Sequence, residues 1–309
     1  MERLTLAGGV PDHLRGSIVA LGNFDGFHLG HQAVVSRAVA RAFHERRPVI
    51  VATFDPHPVR FFKPELPPFR LTSLDQREAL FAHAGADAML VFEFNEQLRS
   101  TSAEAFVDEL VANRIGAAGV VTGDDFGFGK GRTGNVDVLR TLAAAHGIAA
   151  EAVAPVLIDG VRVSSGRIRE ALVAGDTATA THLLTRDFTI EGIVERGDAR
   201  GRELGYPTAN LSLGDYQRPK YGIYAVRVTL DDGSEHPGVA SLGVRPTFEP
   251  ARELLEANLF DFDGDLYGRS IAVAIHAFIR EERKFDGIEP LVAQMNDDEA
   301  KARQLLAIA

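Results

Sequence analysis

Short apolar runs rich in β-branched residues recur along the first half of the chain, and stretches with helical periodicity lie between most of them. The runs are Ser17–Leu21, Val49–Phe54, Ala88–Phe94, Gly119–Thr122 and Glu151–Leu157. Strands that alternate with helices indicate βαβ units, because a parallel pair of strands needs a crossover connection that a helix usually supplies. The pattern therefore predicts a doubly wound α/β domain built on a parallel sheet.

The pattern changes after about Leu184, where strand-like segments are separated by turns that contain Gly, Pro and Asp. These segments are Phe188–Val194, Tyr221–Leu230, Gly238–Leu242, Leu254–Phe262 and Ile271–Arg280. Short strands with turn signals between them predict an antiparallel β-barrel. Apolar residues set among charges between Ile288 and Ile308 predict a closing helix or helix pair. A chain of 309 residues has room for about two domains, which we expect at residues 1–184 and 185–309.

The composition excludes several classes of protein. The formal net charge is −10, from 33 Lys and Arg against 43 Asp and Glu, which argues against sequence-independent binding to nucleic acid or to an anionic membrane. The chain has no Cys, which excludes disulfide scaffolds, cysteine–zinc sites, iron–sulfur clusters and thiol catalysis. It also has no apolar run of membrane-spanning length and no leader pattern at its start. We expect a cytoplasmic protein without nucleic-acid or membrane partners.

The segment Gly22–His31, with the sequence GNFDGFHLGH, follows the first predicted strand and leads into a helical stretch. The junction between a strand and a helix is where βα units bind phosphate. His28 and His31 lie three residues apart, so they share one face if the helix begins near them, and Gly30 allows a ligand to approach the backbone. The alternative is a tight turn capped by Asp25 with two surface histidines.

Three further segments of the first half lie where ligands bind in α/β domains. Val163–Arg169 opens a helix with a serine cap and two arginines, which suits triphosphate oxygens. Thr53–Pro58 ends a strand with two prolines beside an aromatic ring, and Gly123–Gly129 follows another strand with backbone amides and carboxylates. The alternatives are a plain helix cap with solvated arginines, a rigid strand exit and a flexible glycine loop.

The second half contains the string Gly201–Leu211, with the sequence GRELGYPTANL. It combines glycines, a proline, a hydroxyl and an amide. The oxygens of Thr208 and Asn210 are hard ligands of the kind that suits Mg²⁺ bridging the phosphates of ATP. A hairpin with polar turn residues is the alternative interpretation.

These motifs together resemble a known family. His28–His31 and Val163–Arg169 resemble the HxGH and ISSxxIR motifs of nucleotidyltransferases, and Gly201–Leu211 resembles the signature of riboflavin kinases. Further kinase-like segments follow in the same order: Gly222–Ala225, Gly243–Phe248, Glu256, Asp261–Gly268 and Arg280–Phe285. From about Ser17 onward the chain resembles the bacterial bifunctional riboflavin kinase/FMN adenylyltransferases. It departs from their pattern at Asn258 and Gly166.

The resemblance implies two consecutive reactions of FAD biosynthesis. The second domain would phosphorylate riboflavin to FMN with ATP, and Glu256 would take the proton from the 5′-hydroxyl. The first domain would transfer the adenylyl group of a second ATP to FMN, which yields FAD and pyrophosphate. His28, His31 and Arg169 would stabilise the charge that develops during that step, and both reactions would use Mg²⁺.

The resemblance also implies a set of binding residues. Those for ATP in adenylyl transfer are Gly22, Phe24, Asp25, Gly26, Asp125, Arg162, Ser164 and Ser165. Those for the flavin in adenylyl transfer are Phe54, Pro56, His57 and Pro58. Those for ATP and flavin in the kinase domain are Gly201, Arg202, Gly205, Pro207, Tyr267, Arg283 and Phe285, with Thr208 and Asn210 at the metal. The expected partners are riboflavin, FMN and ATP, and the expected state is a monomer or weak homo-oligomer.

Other functions remain open at this point. A flavin- or nucleotide-binding protein without catalysis would be expected to lose His28, His31 or Glu256, which this chain keeps. A flavin-dependent oxidoreductase would not need two sets of ATP-phosphate motifs. One of the two domains could also be inactive, or the first domain could act on another phosphorylated acceptor such as phosphopantetheine.

Overall fold

The structure is a computed structural model and describes residues 1–196, 208–245 and 252–308. The chain divides into two compact units. The first unit comprises residues 1–67 and 72–165, and the second comprises residues 68–71 and 166–309. The domain boundary between residues 184 and 185 stays a prediction.

The first unit contains a parallel sheet of six strands, which confirms the predicted fold class. The strands are β1 (Glu2–Thr5), β2 (Ile18–Leu21), β3 (Val49–Asp55), β4 (Ala88–Glu93), β5 (Gly119–Gly123) and β6 (Ala149–Val153). Their order is β1-β4-β3-β2-β5-β6, and every neighbouring pair is parallel. The predicted strands correspond to β2–β6, whereas β1 at the edge was not predicted.

Helices cover both faces of this sheet. They are α1 (Leu29–Glu45), α2 (Pro58–Phe62), α3 (Leu74–His83), α4 (Glu96–Ser100), α5 (Ala103–Ala105) with its π-helical continuation Phe106–Ile115, and α6 (Val136–Ala144). On β2, Val19 and Leu21 enter one apolar cluster, whereas Ile18 and Ala20 enter another. Because successive strand residues point to opposite faces, the two clusters lie on the two sides of the sheet.

The second unit contains an antiparallel sheet of six strands. They are β9 (Phe188–Ile193), β10 (Ala209–Ser212), β11 (Gly222–Leu230), β12 (Glu235–Arg245), β13 (Arg252–Leu259) and β14 (Ser270–Arg280), numbered after the short pair β7 (Leu157–Ile158) and β8 (Val161–Arg162) of the first unit. The order is β10-β13-β12-β11-β14-β9. A bridge between Glu195 and Asn210 brings the two edge strands together. The sheet is therefore a nearly closed barrel, as predicted.

Three helices accompany the barrel: α7 (Ser165–Ala174), α8 (Thr177–Leu184) and α9 (Ile288–Leu305). The last of these is the predicted closing helix. Its Ala302 joins a buried cluster with Ala225, Phe260, Ile279 and Leu306. These contacts place one face of α9 against the outside of the barrel.

A buried ion pair attaches α9 to the end of β14. Asp298 is 5% exposed, and its Oδ1 accepts from Arg280 Nε at 2.8 Å and from Gln294 Nε2 at 3.0 Å. Arg280 Nη2 donates to the second carboxylate oxygen at 2.5 Å. The guanidinium and the carboxylate therefore meet in a two-pronged arrangement, in which each charge compensates the burial of the other.

We expect Asp298→Ala to lower the free energy of unfolding of the second unit by about 3–5 kcal/mol, because it leaves the half-buried Arg280 guanidinium without its carboxylate partner. Tyrosine fluorescence during urea titration measures this unit alone, since the chain has no Trp and all five Tyr lie beyond residue 205. Glu235→Ala is the control, because it breaks an exposed pair with Arg227 and should change stability by less than about 1 kcal/mol. Equal effects of the two substitutions would contradict the prediction.

Candidate functional sites

The strand order of the first unit places a crevice beside the end of β2. The chain runs from β2 through β3 to β4 on one side, and then continues with β5 and β6 on the other side of β2. Ligands of open α/β sheets bind outside the carboxyl ends of the strands at such a reversal. The loops that begin at Gly22 and Asp124 therefore flank this crevice, and both contain residues predicted to bind ATP.

The loop after β2 makes a sharp turn that packs against α3. Phe24, Gly26 and Phe27 all have positive φ, which is uncommon for residues with a side chain. The rings of Phe24 and Phe27 are buried, and both meet the ring of Phe81 on α3 edge to face, with centroids 5.7 and 5.1 Å apart. Because the ring of Phe24 is buried, contact with ATP from this residue would come through its backbone.

His28 and His31 form a stacked pair at the beginning of α1. Their ring centroids lie 3.6 Å apart with an angle of 15° between the planes. His28 is the N-cap, and its Nδ1 accepts from the backbone N–H of His31 at 3.3 Å. Because Nδ1 accepts, the proton of the neutral ring is on Nε2, which is a donor. A donor beside the positive end of a helix suits an anion.

Gly30 keeps the space that the His28 ring occupies. A Cβ atom at this position would lie 3.2 Å from Cε1 and 3.3 Å from Nδ1 of that ring. Gly30 was predicted to let a ligand approach the backbone. The structure adds that a side chain here would press on the capping imidazole.

Asp25 is held inside the loop by residues from two distant segments. Its Oδ1 accepts from the backbone N–H of Thr72 at 3.1 Å, and Thr72 Oγ1 accepts from the backbone N–H of Gly26 at 2.9 Å. Ser165 Oγ donates to the backbone carbonyl of Asp25 at 2.8 Å. The structure thus brings Asp25, Gly26 and Ser165 together, with Ser164 adjacent in the chain, as the two motifs together suggest.

Thr72 was missed by the sequence analysis. It directly precedes Ser73, which forms a capping box with Gln76 at the start of α3. The Ser-x-x-Gln spacing identifies that helix start, because it is the signature of the reciprocal hydrogen bonds. The contact of Thr72 with the loop after β2 has no local signal, since the two segments lie more than 40 residues apart.

An ion-paired cluster lies after β5. Arg162 Nη2 is 3.0 Å from Oδ1 of Asp124 and 2.9 Å from Oδ1 of Asp125. All three side chains are partly or largely exposed. Exposed pairs of this kind stabilise a fold by only about 0–1 kcal/mol, so Arg162 can exchange them for a ligand phosphate at little cost. The predicted ATP residues Asp125 and Arg162 are therefore neighbours.

The loop after β3 carries the predicted flavin residues. The bond between Asp55 and Pro56 is cis. His57 caps α2, since its Nδ1 accepts from the backbone N–H of Val59 at 3.2 Å, and Pro58 is the first residue of the helix. Proline suits this position because its nitrogen has no hydrogen to leave unsatisfied.

Aromatic rings crowd around this loop. Phe54 is buried and stacks on Phe92 at 5.2 Å. Phe61, Phe62 and Phe94 form a triangle with centroids 5.4 to 5.7 Å apart, and Phe62 is 56% exposed. This triangle was not predicted, although the pair of Phe residues on α2 and the one just after β4 could have indicated it. The exposed ring of Phe62 offers an aromatic surface to a planar ligand.

Arg169 belongs to the second unit, where its guanidinium is held by Phe69. Its Nε donates to the backbone carbonyl of Phe69 at 2.7 Å, and Cζ lies 5.1 Å from the centroid of the same ring. The segment Pro68–Leu71 is itself paired to the second unit, since Gln217 N donates to the carbonyl of Arg70 at 2.7 Å. The role of Arg169 toward a triphosphate stays a prediction.

A polar row crosses three strands of the barrel. Glu256 on β13 lies opposite Asn210 on β10 and opposite Ser241 on β12. Residues directly opposite in neighbouring strands point to the same face of the sheet. The adjacent row consists of Leu211, Leu255 and Leu242, which are fully buried within the barrel. The polar row is therefore on the other face.

On this face Asn210 is buried, and its Nδ2 donates to the carbonyl of Thr208 at 3.4 Å. Glu256 is half-buried.

A second carboxylate lies beside this row. Ser241 Oγ donates to Glu282 Oε1 at 3.4 Å, and a Cβ atom on Gly243 would lie within 2.3 Å of the same oxygen. The carboxylate of Glu282 thus packs on the backbone of β12. Ser241 and Glu282 were not predicted, although Glu282 lies inside the kinase-like segment Arg280–Phe285.

The remaining kinase residues are only partly described. Tyr267 N donates to Oδ1 of Asp265 at 3.0 Å, and its ring lies 5.4 Å from Cζ of Arg196. The ring of Phe285 lies 5.9 Å from Cζ of Arg280, and Arg283 is exposed. The predicted residues Gly201, Arg202, Gly205 and Pro207 lie outside the described residues.

A structural ion pair shifts two pKa values on the barrel. A hydrogen bond from Arg218, with Nη2 at 2.7 Å from Glu253 Oε2, lowers the pKa of Glu253. Burial, followed by the hydrogen bond to Glu253, raises the pKa of Tyr221 to about 12. Both groups keep their neutral-pH charge states. Arg218 and Tyr221 therefore both bind Glu253, which lies on β13, the strand that also carries Glu256.

Two kinds of site are absent from the part of the chain that the structure describes. No group of three or more His, Asp or Glu side chains in them is arranged to hold a metal ion. No helix among them has the length and apolarity that a membrane span requires.

The two halves of the chain match two family models in the order of the two motif sets. Residues 10–167 match FAD synthetase, and residues 184–306 match riboflavin kinase. A bifunctional riboflavin kinase/FMN adenylyltransferase from Pseudomonas fluorescens is 43% identical over 298 residues, covering 96% of this chain and 95% of that protein. One from Escherichia coli strain K12 is 36% identical over 293 residues, covering 95% and 94%.

A solved structure also resembles the whole chain. A crystal structure described as a macrolide-efflux protein from Streptococcus pneumoniae superposes with a TM-score of 0.88 at 30% identity. The superposition covers 98% of this chain and 99% of that one. The arrangement of an α/β unit followed by a barrel is therefore shared over the full length.

We expect Thr72→Val to lower the free energy of unfolding of the first unit by about 1–3 kcal/mol, because the backbone N–H of Gly26 loses its buried acceptor. Far-UV circular dichroism during urea titration follows both units, and tyrosine fluorescence identifies the transition of the second unit. Thr141→Val is the control, since its hydroxyl is exposed on α6 and the change should stay within about 0.5 kcal/mol. A shift in the tyrosine transition instead would contradict the prediction.

Proposed function

The chain belongs to the family of bifunctional riboflavin kinase/FMN adenylyltransferases, and on that premise we propose which of its residues carry out each reaction. It is an enzyme of FAD biosynthesis. It phosphorylates riboflavin to FMN with ATP and then adenylylates FMN to FAD. The observation that carries the residue assignment is the stacked pair of His28 and His31 at the start of α1.

In adenylyl transfer, the FMN phosphate is already ionised and attacks the α-phosphate of ATP without a base. The bond from the α-phosphate to the bridging oxygen breaks, and pyrophosphate leaves. The role left to the protein is to stabilise the charge that develops on the phosphate oxygens. The Nε2–H of His28, the ring of His31 and the positive end of α1 supply this stabilisation, together with Arg169, Ser164 and Ser165.

The loops on either side of this anion site hold the rest of the two substrates. The flavin ring takes the aromatic face formed by Phe62 and its neighbours, next to the rigid segment Pro56–Pro58. Arg162 and Asp125 bind the nucleotide part of ATP. The proposal draws support from the fact that both loops follow parallel strands at the same edge of one sheet.

In the kinase reaction, the carboxylate of Glu256 accepts the proton of the riboflavin 5′-hydroxyl as its oxygen attacks the γ-phosphate of ATP. Phosphoryl transfer depends mainly on alignment and on neutralising charge, so one correctly placed carboxylate suffices as the base. Tyr267, Arg283 and Phe285 are proposed substrate contacts, together with the predicted residues that the structure does not describe.

The donor set around Asn210 fits Mg²⁺. Asn210 Nδ2 donates to the Thr208 carbonyl, so the side-chain oxygen of this buried amide is the atom that would serve as a hard ligand. Mg²⁺ usually keeps several waters and binds through few protein oxygens plus substrate phosphates. Thr208 and Asn210 would hold the ion, which when bound neutralises charge on the phosphates of ATP.

Three further proposals concern the whole protein. We place the boundary between the two catalytic domains at residues 184 and 185. We propose a monomer or weak homo-oligomer, which sedimentation at several protein concentrations would test. We also propose that the enzyme works in the cytoplasm, where ATP and riboflavin are available together, and that it binds no nucleic acid.

We expect Glu256→Gln and His31→Ala to separate the two reactions. Glu256→Gln should lower kcat/KM for FMN formation by about 10²–10⁴-fold while FMN supplied directly still becomes FAD. His31→Ala should lower FAD formation by about 10²–10³-fold and leave FMN to accumulate. Chromatography of riboflavin, FMN and FAD over time, after mixing with ATP and Mg²⁺, measures both steps in one sample.

Matched controls exist on the same elements. Glu235→Gln changes an exposed carboxylate of β12, and His44→Ala changes a histidine in the last turn of α1. Both should form FMN and FAD at the normal rates. Loss of both activities in His31→Ala would contradict the proposed function. So would the absence of any ATP-dependent conversion of riboflavin or FMN, which is the outcome expected of an oxidoreductase that merely carries flavin.

We expect Asn210→Ala to raise the Mg²⁺ concentration that half-saturates the kinase reaction by about tenfold or more, because a metal ligand is lost. The conversion of supplied FMN to FAD should keep its normal dependence on Mg²⁺. Titrating each reaction with Mg²⁺ at fixed ATP measures the two dependences. An unchanged dependence of the kinase reaction would show that Asn210 does not hold the ion.

A further inference from the structure

Arg77, on α3, is a buried charged residue that neither reaction uses. It is 2% exposed. Its Nη1 donates to Thr53 Oγ1 at 2.9 Å and lies 3.4 Å from the carbonyl of Asn23 and 3.5 Å from that of Phe54. Its Nη2 lies 3.9 Å from Oδ1 of Asp55. A single guanidinium therefore contacts both the loop that follows β2 and the end of β3.

The loop after β2 leads to the two histidines, and the end of β3 leads to the proposed flavin loop. Asn23 begins the turn after β2, five residues before His28. Phe54 and Asp55 end β3, immediately before Pro56. Thr53 Oγ1 itself donates to the carbonyl of Asn23 at 2.8 Å, so Thr53 and Arg77 hold the same carbonyl oxygen.

The same helix supports the histidine loop at two other points. Phe81 packs against Phe24, whose ring meets His31 edge to face with centroids 5.3 Å apart. Thr72, just before the helix, holds Asp25 and Gly26. The histidine loop thus contacts α3 and the residue just before it at several points. Arg77 is the residue of α3 that contacts the flavin loop as well.

We propose that Arg77 is a positioning residue for adenylyl transfer, which fixes the loop of His28 and His31 relative to the loop of Pro56–Pro58. This inference rests on the proposed function of the first domain. The reaction requires the FMN phosphate and the α-phosphate of ATP to meet within reacting distance, and a misplacement of about 1 Å can lower a rate about 100-fold. A tie between the two loops controls that distance.

The chemistry of Arg77 favours positioning over stability as its main role. Burying a charge is unfavourable, so a buried charged contact is by itself weak evidence for a stabilising role. A planar fork of donors, in contrast, can hold several carbonyl and hydroxyl oxygens in fixed directions, which a Lys ammonium cannot do.

The test compares Arg77→Met, Arg77→Lys and Thr53→Val in the full-length enzyme. We expect Arg77→Met to lower kcat/KM for FAD formation from supplied FMN by about 100-fold, and Arg77→Lys by about tenfold because it restores the charge without the fork. Riboflavin phosphorylation by the same preparation should stay normal. The double variant Thr53→Val/Arg77→Met should lose less kcat/KM for FAD formation than the two single losses multiplied together, because both residues hold the Asn23 carbonyl.

Arg140→Met is the matched control, since Arg140 is an exposed arginine of α6 that pairs with Asp137. FAD formation by Arg77→Met at the rate of this control would overturn the proposal. So would an equal loss in Arg77→Met and Arg77→Lys that accompanies a lowered far-UV unfolding transition, since that outcome indicates a structural role. If His31→Ala still forms FAD normally, the proposed site itself is wrong. If only His31→Ala is inactive, Arg77 alone loses its role.

Discussion

The parallel pairing of β2 with β3 and β5 is the constraint on which the first unit depends. Ile18 lies opposite Val49 on one side and opposite Gly119 on the other, so the three strands run level. Because both faces of this sheet are buried, slipping one strand by a residue would turn apolar side chains away from their clusters. The fixed register therefore delivers the loops after these strands to one edge, where the histidines, the aromatic face and the Asp–Arg cluster are found.

Much of this architecture could be predicted from the sequence, because apolar periodicity and local motifs encode it. The runs that became β2–β6 are nearly continuous apolar segments, and the histidine loop follows one of them directly. The edge strand β1 was missed because its residues Glu2–Thr5 are mostly exposed and have no apolar pattern. The short β10 was missed because it contains only four residues, which is too few to show a strand pattern.

The supporting residues could not be predicted, because their partners are distant in the chain. Arg77 occupies a helix position where a charge ordinarily faces solvent, and its contacts come from residues more than 20 positions away. Thr72 likewise acts across 46 residues, and Ser241 is recognisable only once β12 and β13 are paired. The residues expected to touch substrate were accessible to sequence reasoning, whereas those that hold them in place required the three-dimensional structure.

The hydrogen bond that His28 accepts has a consequence for an anion site in an acidic protein. With a net charge of −10, this chain attracts phosphates by local donors and not by its overall field. Acidification usually strengthens a histidine site for anions, since each imidazole gains a positive charge. Here protonation of Nδ1 would replace an acceptor with a second donor facing the His31 N–H. The His28 ring would then gain a positive charge but lose the hydrogen bond that orients it. Protonation would therefore strengthen the attraction to phosphate and at the same time weaken the alignment of the ring.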